Sequence, residues 1–176
     1  MTRLADALRD VPRVVAEAVE QEEARAEARA REFLSSRHLY VIGAGPLAPL
    51  AYKVALTVVM ENIRIGGTWC DASEFRQGPA EALERSQVDA LVLLGTDESR
   101  VMAERTLAFL HEHGAHAQVI DASQYGPVDP LLTPLVLNSI TQWFTVWSAI
   151  LRGITDLDER VFMGRSVLAS GGHAWP

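Results

Sequence analysis

A nearly continuous apolar run at residues 88–95, Val-Asp-Ala-Leu-Val-Leu-Leu-Gly, constrains the fold more than any other segment of the sequence. A strand with one face in solvent alternates apolar and polar residues, but this run is apolar on both faces. Strands that are buried on both faces occur in parallel sheets covered by helices on each side. The run therefore predicts an α/β fold built around a parallel sheet.

Segments rich in β-forming residues alternate with segments of helical periodicity along the rest of the chain. Further strands are predicted at residues 38–43, 63–70 and 116–120. Helices are predicted at residues 47–62, 98–113 and 131–152, a loop with a short helix at 71–86, and a last short element at 156–168. This alternation predicts a doubly wound, flavodoxin-like parallel sheet with helices on both faces. Right-handed crossovers place the functional loops at the carboxyl ends of the strands.

The sequence before the first strand predicts one long helix over residues 2–33. Its first half carries an apolar stripe at three- and four-residue spacing, formed by Leu4, Leu8, Val11, Val15 and Val19. Residues 21–32 are almost entirely Ala, Glu and Arg, which favour a helix but offer no large apolar side chains. Such a run is typical of a solvated helix face, and the alternative is an arm that packs on a partner subunit. We therefore divide the chain into an N-terminal helical arm, residues 1–34, and a single α/β domain, residues 35–176.

Charge and cysteine content argue against several classes of protein. The 176 residues carry a formal net charge of −7, and an acidic chain repels nucleic-acid phosphates, so no nucleic-acid partner is expected. We expect no membrane segment, because the sequence has no apolar run of about 18 residues and no signal-peptide pattern. The single cysteine, Cys70, fits a reducing cytoplasm and is predicted to be a buried small apolar residue. His111 and His113 lie on different faces of a helix, so no metal site is predicted.

A glycine-rich turn follows the first predicted strand. Gly43 and Gly45 allow the backbone to approach an anion at the start of the next helix. The segment also resembles a dinucleotide-binding fingerprint, whose acidic ribose partner is expected about 20 residues further on. The nearest acidic residue at a strand end is Asp71, 26 residues past Gly45, so a dinucleotide site is not favoured.

A second constellation begins at Glu61, near the end of the helix that follows this turn. A glutamate at that end of a helix is unfavourable because the helix dipole is negative there, which hints at a function. Gln77 follows 16 residues later, within residues 74–79, Glu-Phe-Arg-Gln-Gly-Pro. Further segments follow in the order Leu-Leu-Gly-Thr-Asp-Glu-Ser-Arg at residues 93–100, Leu-Leu-Thr-Pro-Leu-Val-Leu at 131–137, and Asp-Glu-Arg-Val-Phe-Met-Gly-Arg-Ser-Val at 158–167.

This ordered set resembles the sugar isomerase (SIS) superfamily over roughly residues 38–168. In particular, the chain resembles the second SIS half of the isomerase region of glucosamine-6-phosphate synthase and of the fructosamine 6-phosphate deglycases. The resemblance implies that Glu61 is a catalytic base, which removes a proton next to a carbonyl or imine and forms an enediol or enaminol. Gln77 and Arg165 match the family's other two catalytic positions, and ligand contacts are implied for Gly43, Gly45, Glu74, Gly78 and Thr96. This chemistry requires neither a metal nor an organic cofactor.

Two of the three catalytic positions depart from the family pattern, which has His where this chain has Gln77 and Lys where it has Arg165. Glutamine has no titratable group near pH 7, so Gln77 can orient a hydroxyl but cannot shuttle a proton. Arginine is always charged, so Arg165 can clamp a phosphate or a hydroxyl but cannot form an imine. One hypothesis is a phosphosugar isomerase or deglycase-like enzyme that acts on a sugar phosphate or an amino-sugar derivative. The alternative is a noncatalytic phosphosugar-binding or regulatory subunit.

The resemblance also implies a partner, because the Ser/Thr-rich loop that holds the sugar phosphate belongs to the family's first SIS half. The glycine turn of this chain, residues 43–49, contains no Ser or Thr. We therefore expect a homodimer, or a heteromer with another SIS chain, with the site at the subunit interface. Residue chemistry alone leaves simpler roles open, with Gly78-Pro79 as a turn and Thr96 or Asp97 as a helix N-cap.

Overall fold

A four-stranded, all-parallel sheet forms the centre of the computed structural model, which describes residues 3–157. The strands are β1 (His38–Gly43), β2 (Gly66–Asp71), β3 (Asp89–Leu94) and β4 (His116–Asp121). They lie in the order β2-β1-β3-β4, with β1 and β3 as neighbours at the middle of the sheet. The predicted α/β fold with a doubly wound parallel sheet is confirmed.

Helices cover both faces of this sheet. They are α1 (Arg3–Ala7), α2 (Val11–Glu32), α3 (Ala48–Lys53), α4 (Gly78–Ala82), α5 (Arg100–Glu112) and α6 (Thr133–Leu151). A stretch of wider, π-helical geometry, Val54–Ile63, continues α3 without a break, and both fall within the predicted helix that precedes β2. The core of one face is shared by α2, α3 with its π-helix, and α6, while α4 and α5 lie against the other face.

Strand β3 shows why the run at residues 88–95 is apolar throughout. Leu91 and Leu93 pack into the core beneath α2 and α6, while Ala90, Val92 and Leu94 pack against α5 on the opposite face. All five side chains are buried. Neither face of β3 therefore has room for a polar position.

The prediction of one helix over residues 2–33 is wrong, because the chain breaks after Ala7 and α2 begins at Val11. The cause is Pro12, which lacks a backbone N–H and cannot donate to the carbonyl one turn earlier. Proline is tolerated only in the first turn of a helix, and Pro12 occupies that position in α2. The two helices are therefore separate elements.

The prediction of a solvated face over residues 21–32 is only partly right. Glu22, Ala26 and Ala30 recur every four residues and form a buried stripe on α2. This side of α2 packs against α6 of the same chain, while most other residues of the run are exposed. Small alanine side chains let the two helices approach closely, so the run contributes to the core without large apolar residues.

No helix within residues 3–157 is long and apolar enough to cross a membrane. The same residues contain no group of three His, Cys, Asp or Glu side chains that could hold a metal ion. Cys70 is buried, as predicted, and burial raises its thiol pKa to about 11, with the nearby carboxylates adding to the shift. The thiol is therefore protonated near pH 7.

Candidate functional site

The carboxyl edge of the sheet brings the glycine turn after β1 against the turn after β3. After β1 the chain continues to β2 at one edge of the sheet, and after β3 it continues to β4 at the other edge. The gap between the ends of β1 and β3 is therefore the topological switch point, where ligands bind in such sheets. Gly45 has a positive φ of 52°, and a β-carbon there would collide with Ser99 and lie 2.9 Å from Asp97 Oδ1. Only glycine lets these two turns meet.

Asp97 occupies the space next to the start of α5. Its Oδ1 atom accepts hydrogen bonds from the backbone N–H of Ser99, at 2.8 Å, and from the Ser99 hydroxyl. Its Oδ2 atom is buried against Gly95 and makes no hydrogen bond to any residue of the described part. The chain's own carboxylate therefore stands where an anion would bind at a helix N-terminus.

The contacts of Asp97 also bear on the roles predicted for this segment. The prediction of Thr96 or Asp97 as the helix N-cap is wrong, because Ser99 is the residue that immediately precedes α5, and Asp97 accepts the N–H of Ser99 and not one from the first turn of the helix. Thr96 is exposed at the same turn. Ligand contacts by Gly43, Gly45 and Thr96 stay a prediction, although the structure does bring the three residues to one edge of the sheet.

An Asp-x-Ser turn recurs at the carboxyl ends of three strands, and this repetition was missed at the level of sequence. Asp71 accepts from the N–H and hydroxyl of Ser73 at 2.8 and 2.6 Å after β2. Asp121 accepts from the N–H and hydroxyl of Ser123 at 2.9 and 2.7 Å after β4. Short carboxylates close such turns by binding the backbone two residues on. The signal that reveals them is the tripeptide itself, present at residues 71–73, 97–99 and 121–123.

Arg100 ties the loops after β3 and β4 together. Its guanidinium donates to both carboxylate oxygens of Asp121, at 2.7 and 2.8 Å, and to the Gly95 carbonyl at 2.9 Å. A further hydrogen bond runs to Glu104 at 2.7 Å. Hydrogen bonds from Arg100 lower the pKa of Asp121 to about 2, despite the opposing effect of burial. The pair is therefore ionised at any physiological pH and fixes the rim of the carboxyl edge.

A cleft of about 610 Å³ opens at this rim, between Thr96 and residues 122–130. Tyr125 lines the cleft and is buried, and its hydroxyl donates a 2.6 Å hydrogen bond to Glu22 on α2. Burial, reinforced by Glu22, raises the pKa of Tyr125 far above its usual range. Of the residues predicted to contact ligand, Thr96 alone lines this cleft, and nothing in the sequence drew attention to Tyr125.

Glu61 lies at the opposite, amino edge of the sheet. It is exposed near the end of the π-helix, which terminates at Arg64 in a left-handed conformation with φ of 61°. Strand β2 then starts at Gly66, which pairs with His38 at the start of β1. The side-chain amide of the adjacent Asn62 donates to the carbonyl of Leu157 at 3.0 Å.

Glu74, Gln77 and Gly78 follow the carboxyl end of β2. All three are exposed, while Phe75 between them is buried and packs edge-on against Tyr40 with ring centroids 6.3 Å apart. The backbone N–H of Gln77 donates to the Glu74 carbonyl at 2.9 Å and closes the turn. Gly78 and the proline after it form the first turn of α4, so this segment begins a short helix as well as a turn.

The structure therefore separates the predicted catalytic residues of one chain. Glu61 precedes β2 and Gln77 follows it, and a six-residue strand is roughly 20 Å long. Arg165, the segment 158–167 and most of the predicted last element at 156–168 lie outside the described residues. Within one chain, Glu61 is not brought together with the predicted ligand-contacting residues at the carboxyl edge.

Comparison with known proteins identifies the family. The chain is 34% identical over 127 residues to fructoselysine 6-phosphate deglycase of Escherichia coli K12, covering 72% of this chain and 37% of that protein. It is 32% identical over 133 residues to a fructosamine deglycase of Bacillus subtilis, covering 40% of that protein. The chain belongs to the sugar isomerase (SIS) superfamily. No protein-family model matches it.

Solved structures also support the assignment of this chain to the SIS superfamily. A candidate phosphosugar isomerase from Bacillus subtilis superposes with a TM-score of 0.80 at 28% identity, covering 89% of this chain and 49% of that one. The C-terminal domain of glucosamine-fructose-6-phosphate aminotransferase from Francisella tularensis superposes with a TM-score of 0.71 at 16% identity, covering 84% of this chain and 45% of that one, and shares the fold. The SIS chain spans about two fifths of the length of the curated relatives, 37% and 40%.

Proposed function

We propose that this SIS chain is part of a phosphosugar isomerase or deglycase and that Glu61 is the base that enolises the substrate. The observation that carries the proposal is the identity of 34% over 127 residues with a fructoselysine 6-phosphate deglycase. The exposed position of Glu61 near the end of a helix supports it, because a carboxylate gains nothing from the helix dipole there. The substrate class is a sugar phosphate or an amino-sugar derivative.

The proposed reaction needs one base and groups that orient the substrate. Glu61 removes a proton from the carbon next to a carbonyl or imine, and the electron pair left behind forms a carbon–carbon double bond. The carbonyl oxygen or imine nitrogen takes up a proton from water at the same time, which gives an enediol or enaminol and leaves Glu61 protonated. Gln77 and Arg165 do not change charge in this step, so they orient a hydroxyl or a phosphate.

We further propose that the site forms at a junction between two SIS chains. Glu61 and Gln77 lie beyond opposite ends of β2, so one chain does not bring the two side chains to one substrate. This separation supports a site shared by two chains. Glu61 of one chain and Gln77 of another would then face the same ligand. The second chain is either a copy of this one or a separate SIS chain.

A second candidate function is a noncatalytic subunit that binds a phosphosugar. The substitution of the family's His by Gln77 favours it, because the site loses a group that can carry a proton. Such a subunit would be stabilised by its ligand, as any ligand that binds the folded state raises the melting temperature. It would show no turnover.

Release of lysine from fructoselysine 6-phosphate is the test that separates the two functions. We expect the native chain to release lysine and Glu61→Gln to be slower by a factor of about 10²–10⁴, the range typical of a lost general base. Glu112→Gln is the matched control, because Glu112 is an exposed glutamate at the carboxyl end of α5. Equal rates for the two variants would refute the role of Glu61. A ligand that raises the melting temperature of a native chain without turnover would favour the noncatalytic subunit.

A further inference from the structure

Three large apolar side chains lie exposed beside the edge strand β2. The ring of Tyr52 on α3 packs edge-on against the ring of Trp69 on β2, with the ring centroids 5.6 Å apart. Met60, further along the π-helix, lies over the same strand, since a β-carbon at Gly67 would be 3.2 Å from the Met60 Cγ atom. Gly67 and Trp69 are two residues apart in the strand, so they share one face. Tyr52, Met60 and Trp69 therefore form one continuous surface, the β2 patch.

The edge of β2 beside this patch is unpaired in the described part of the chain. In the sheet order β2-β1-β3-β4, β2 pairs only with β1 among residues 3–157. Exposed edge strands usually carry lysine or proline, which block further pairing, whereas β2 has the sequence Gly-Gly-Thr-Trp-Cys-Asp. Tryptophan, tyrosine and methionine are enriched at the centres of protein interfaces. The β2 patch therefore has the composition of an interaction surface.

The distribution of charge allows two copies of the chain to meet at this surface. The chain has a net charge of −7, so two copies repel each other over most of their surface. Residues 44–60, however, contain no acidic side chain, and α6 contains no charged side chain. Lys53 of α3 donates a hydrogen bond to Asn138 of α6, and Leu131 and Leu135 lie exposed at the start of α6. A stable dimer buries about 800 Å² per chain, which is more than three side chains provide, and this part of α6 extends the face.

We propose that two copies of this chain pair through the β2 patch about a two-fold axis perpendicular to β2, and that this pairing completes the site at Glu61. Such an axis uses the same surface on both copies, so one patch is enough for the contact. The pairing rests on the exposed patch and its low charge. Its role in the site rests on the proposed function, in which Glu61 of one chain and Gln77 of another face one substrate.

The β2 patch lies between the two halves of the proposed site. Glu61 follows Met60 near the amino end of β2, and Gln77 lies beyond the carboxyl end of the strand. A two-fold axis through the patch and perpendicular to β2 turns the strand of the second copy end for end. The amino end of each β2 then lies beside the carboxyl end of the other, so Glu61 of each chain approaches Gln77 of its partner. Strands paired in the same direction would leave the two residues roughly 20 Å apart.

Sedimentation velocity of the full chain tests the pairing without an assay of activity. We expect the native chain to sediment as a dimer, and Met60→Glu to raise the dimer dissociation constant at least about 30-fold, the effect of losing a central interface residue. Val101→Glu is the matched control and should leave the constant unchanged. Val101 is 45% exposed and Met60 47%, but Val101 lies on α5 at the opposite face of the sheet. Trp69→Lys puts a charge on the edge strand and should weaken the dimer as Met60→Glu does.

Thermal unfolding followed by circular dichroism identifies any variant that fails to fold, and the other variant then decides the test. A dimer that a folded Met60→Glu or Trp69→Lys chain forms as tightly as the native chain would overturn the proposal. A native chain that sediments as a monomer would also overturn it, and would assign the β2 patch to residues 158–176 or to a different SIS chain.

Mixing two inactive variants tests the two-fold arrangement of the site. Glu61→Gln and Gln77→Ala each remove one half of every site, whereas a mixed dimer keeps one complete site out of two. Equal amounts give mixed dimers as about half of the total, so we expect the mixture to release lysine from fructoselysine 6-phosphate at about a quarter of the native rate. A mixture no more active than the separate variants would overturn the two-fold arrangement.

The two measurements also separate this inference from the proposed function. Lysine release that depends on Glu61, from a chain that sediments as a monomer, would overturn this inference alone. A dimer that Met60→Glu dissociates, but that releases no lysine, would count against the proposed function alone.

Discussion

The hydroxyl of Tyr125 donates a 2.6 Å hydrogen bond to Glu22, a carboxylate that lies 103 residues earlier in the chain and has no exposed surface. Arg29 pairs with the same carboxylate from two turns further along α2. A buried charge is tolerated only when it is paired and hydrogen-bonded, so all three residues depend on one another. Their link joins the helix that precedes the sheet to the wall of the cleft after β4.

Breaking this link should destabilise the chain in a graded way. Glu22→Ala leaves the Arg29 guanidinium without its carboxylate, and we expect a loss of about 3–5 kcal/mol in the free energy of unfolding. Tyr125→Phe removes one hydrogen bond to a charged group and should cost about 1.5–3 kcal/mol. Tyr52→Phe, at an exposed tyrosine of α3, should change the free energy by less than about 0.5 kcal/mol. Urea unfolding measures all three, and a Tyr125→Phe chain as stable as this control would contradict the account.

The ion pair between Arg100 and Asp121 should make stability depend on pH in the acid range. Hydrogen bonds from Arg100 lower the pKa of Asp121 from 3.8 to about 2 in the folded chain. A carboxyl with a lowered folded-state pKa contributes its full stability above its unfolded-state pKa, and that contribution is lost as the pH falls through the folded-state value. A contribution of about 2 kcal/mol is therefore present above roughly pH 4 and disappears towards pH 2.

Asp121→Asn isolates this contribution from the titration of other carboxyls. We expect the variant to be less stable than the native chain at pH 7, with the difference shrinking between about pH 4 and pH 2. Asp10→Asn, at an exposed aspartate before α2, should follow the native curve throughout. Urea unfolding at a series of pH values gives the comparison. A difference between Asp121→Asn and the native chain that stays constant down to pH 2 would show that Arg100 does not lower the pKa of Asp121.

Two glycines with positive φ distinguish backbone strain from steric collision. Gly114→Ala meets open space at φ of 73°, so it should cost only about 1–2 kcal/mol for the left-handed backbone. Gly45→Ala carries the same backbone cost and also drives a β-carbon into Ser99 and Asp97. We expect it to be the less stable variant by at least about 1 kcal/mol, as overpacking usually costs 1–3 kcal/mol. Equal melting temperatures would mean that the two turns at the carboxyl edge separate easily.

Arg152 should stabilise the packing of the carboxyl end of α6 against the carboxyl end of α2. Its guanidinium donates to the Phe33 carbonyl at 2.5 Å and to the Ser36 carbonyl at 3.3 Å, and burial lowers its pKa. Arg152→Ala removes both hydrogen bonds and should cost about 1–3 kcal/mol, since the Phe33 carbonyl keeps the Ser36 N–H as a donor but the Ser36 carbonyl loses the guanidinium. Arg85→Ala, at a side chain that is 87% exposed, is the matched control and should be nearly neutral. Thermal unfolding that does not distinguish the two variants would contradict this role.

Periodicity was enough to predict the four strands, the helices that follow them and the parallel sheet. These features depend on local patterns, such as the doubly buried run that became β3. The break at Pro12 was also visible in the sequence, but the apolar stripe that continues through it concealed the separate start of α2. The burial of Glu22 was not predictable, because it depends on a tyrosine more than a hundred residues away.

In the candidate site too, local sequence patterns predict which residues matter but not how the fold arranges them. The ordered motifs predict Glu61 and Gln77 as catalytic positions, but their spacing of 16 residues in the sequence carries no information about their distance in the fold. The direction of β2 places them at opposite edges, which follows from topology and not from spacing. The residues of the glycine turn predict a cradle for an anion, whereas Asp97 of the same chain packs against Gly45. The residues of the glycine turn do not predict this contact, because Asp97 lies about fifty residues later in the sequence.

Exchange of substrate hydrogen with solvent tests the central claim, that Glu61 enolises a sugar derivative, most directly. Proton NMR in deuterated water follows the hydrogen next to the carbonyl of fructose 6-phosphate and of fructoselysine 6-phosphate, with the native chain, Glu61→Gln and Glu112→Gln side by side. The account predicts that this signal is lost with the native chain and with Glu112→Gln and is retained with Glu61→Gln. Loss of the signal at the same rate with Glu61→Gln would contradict it.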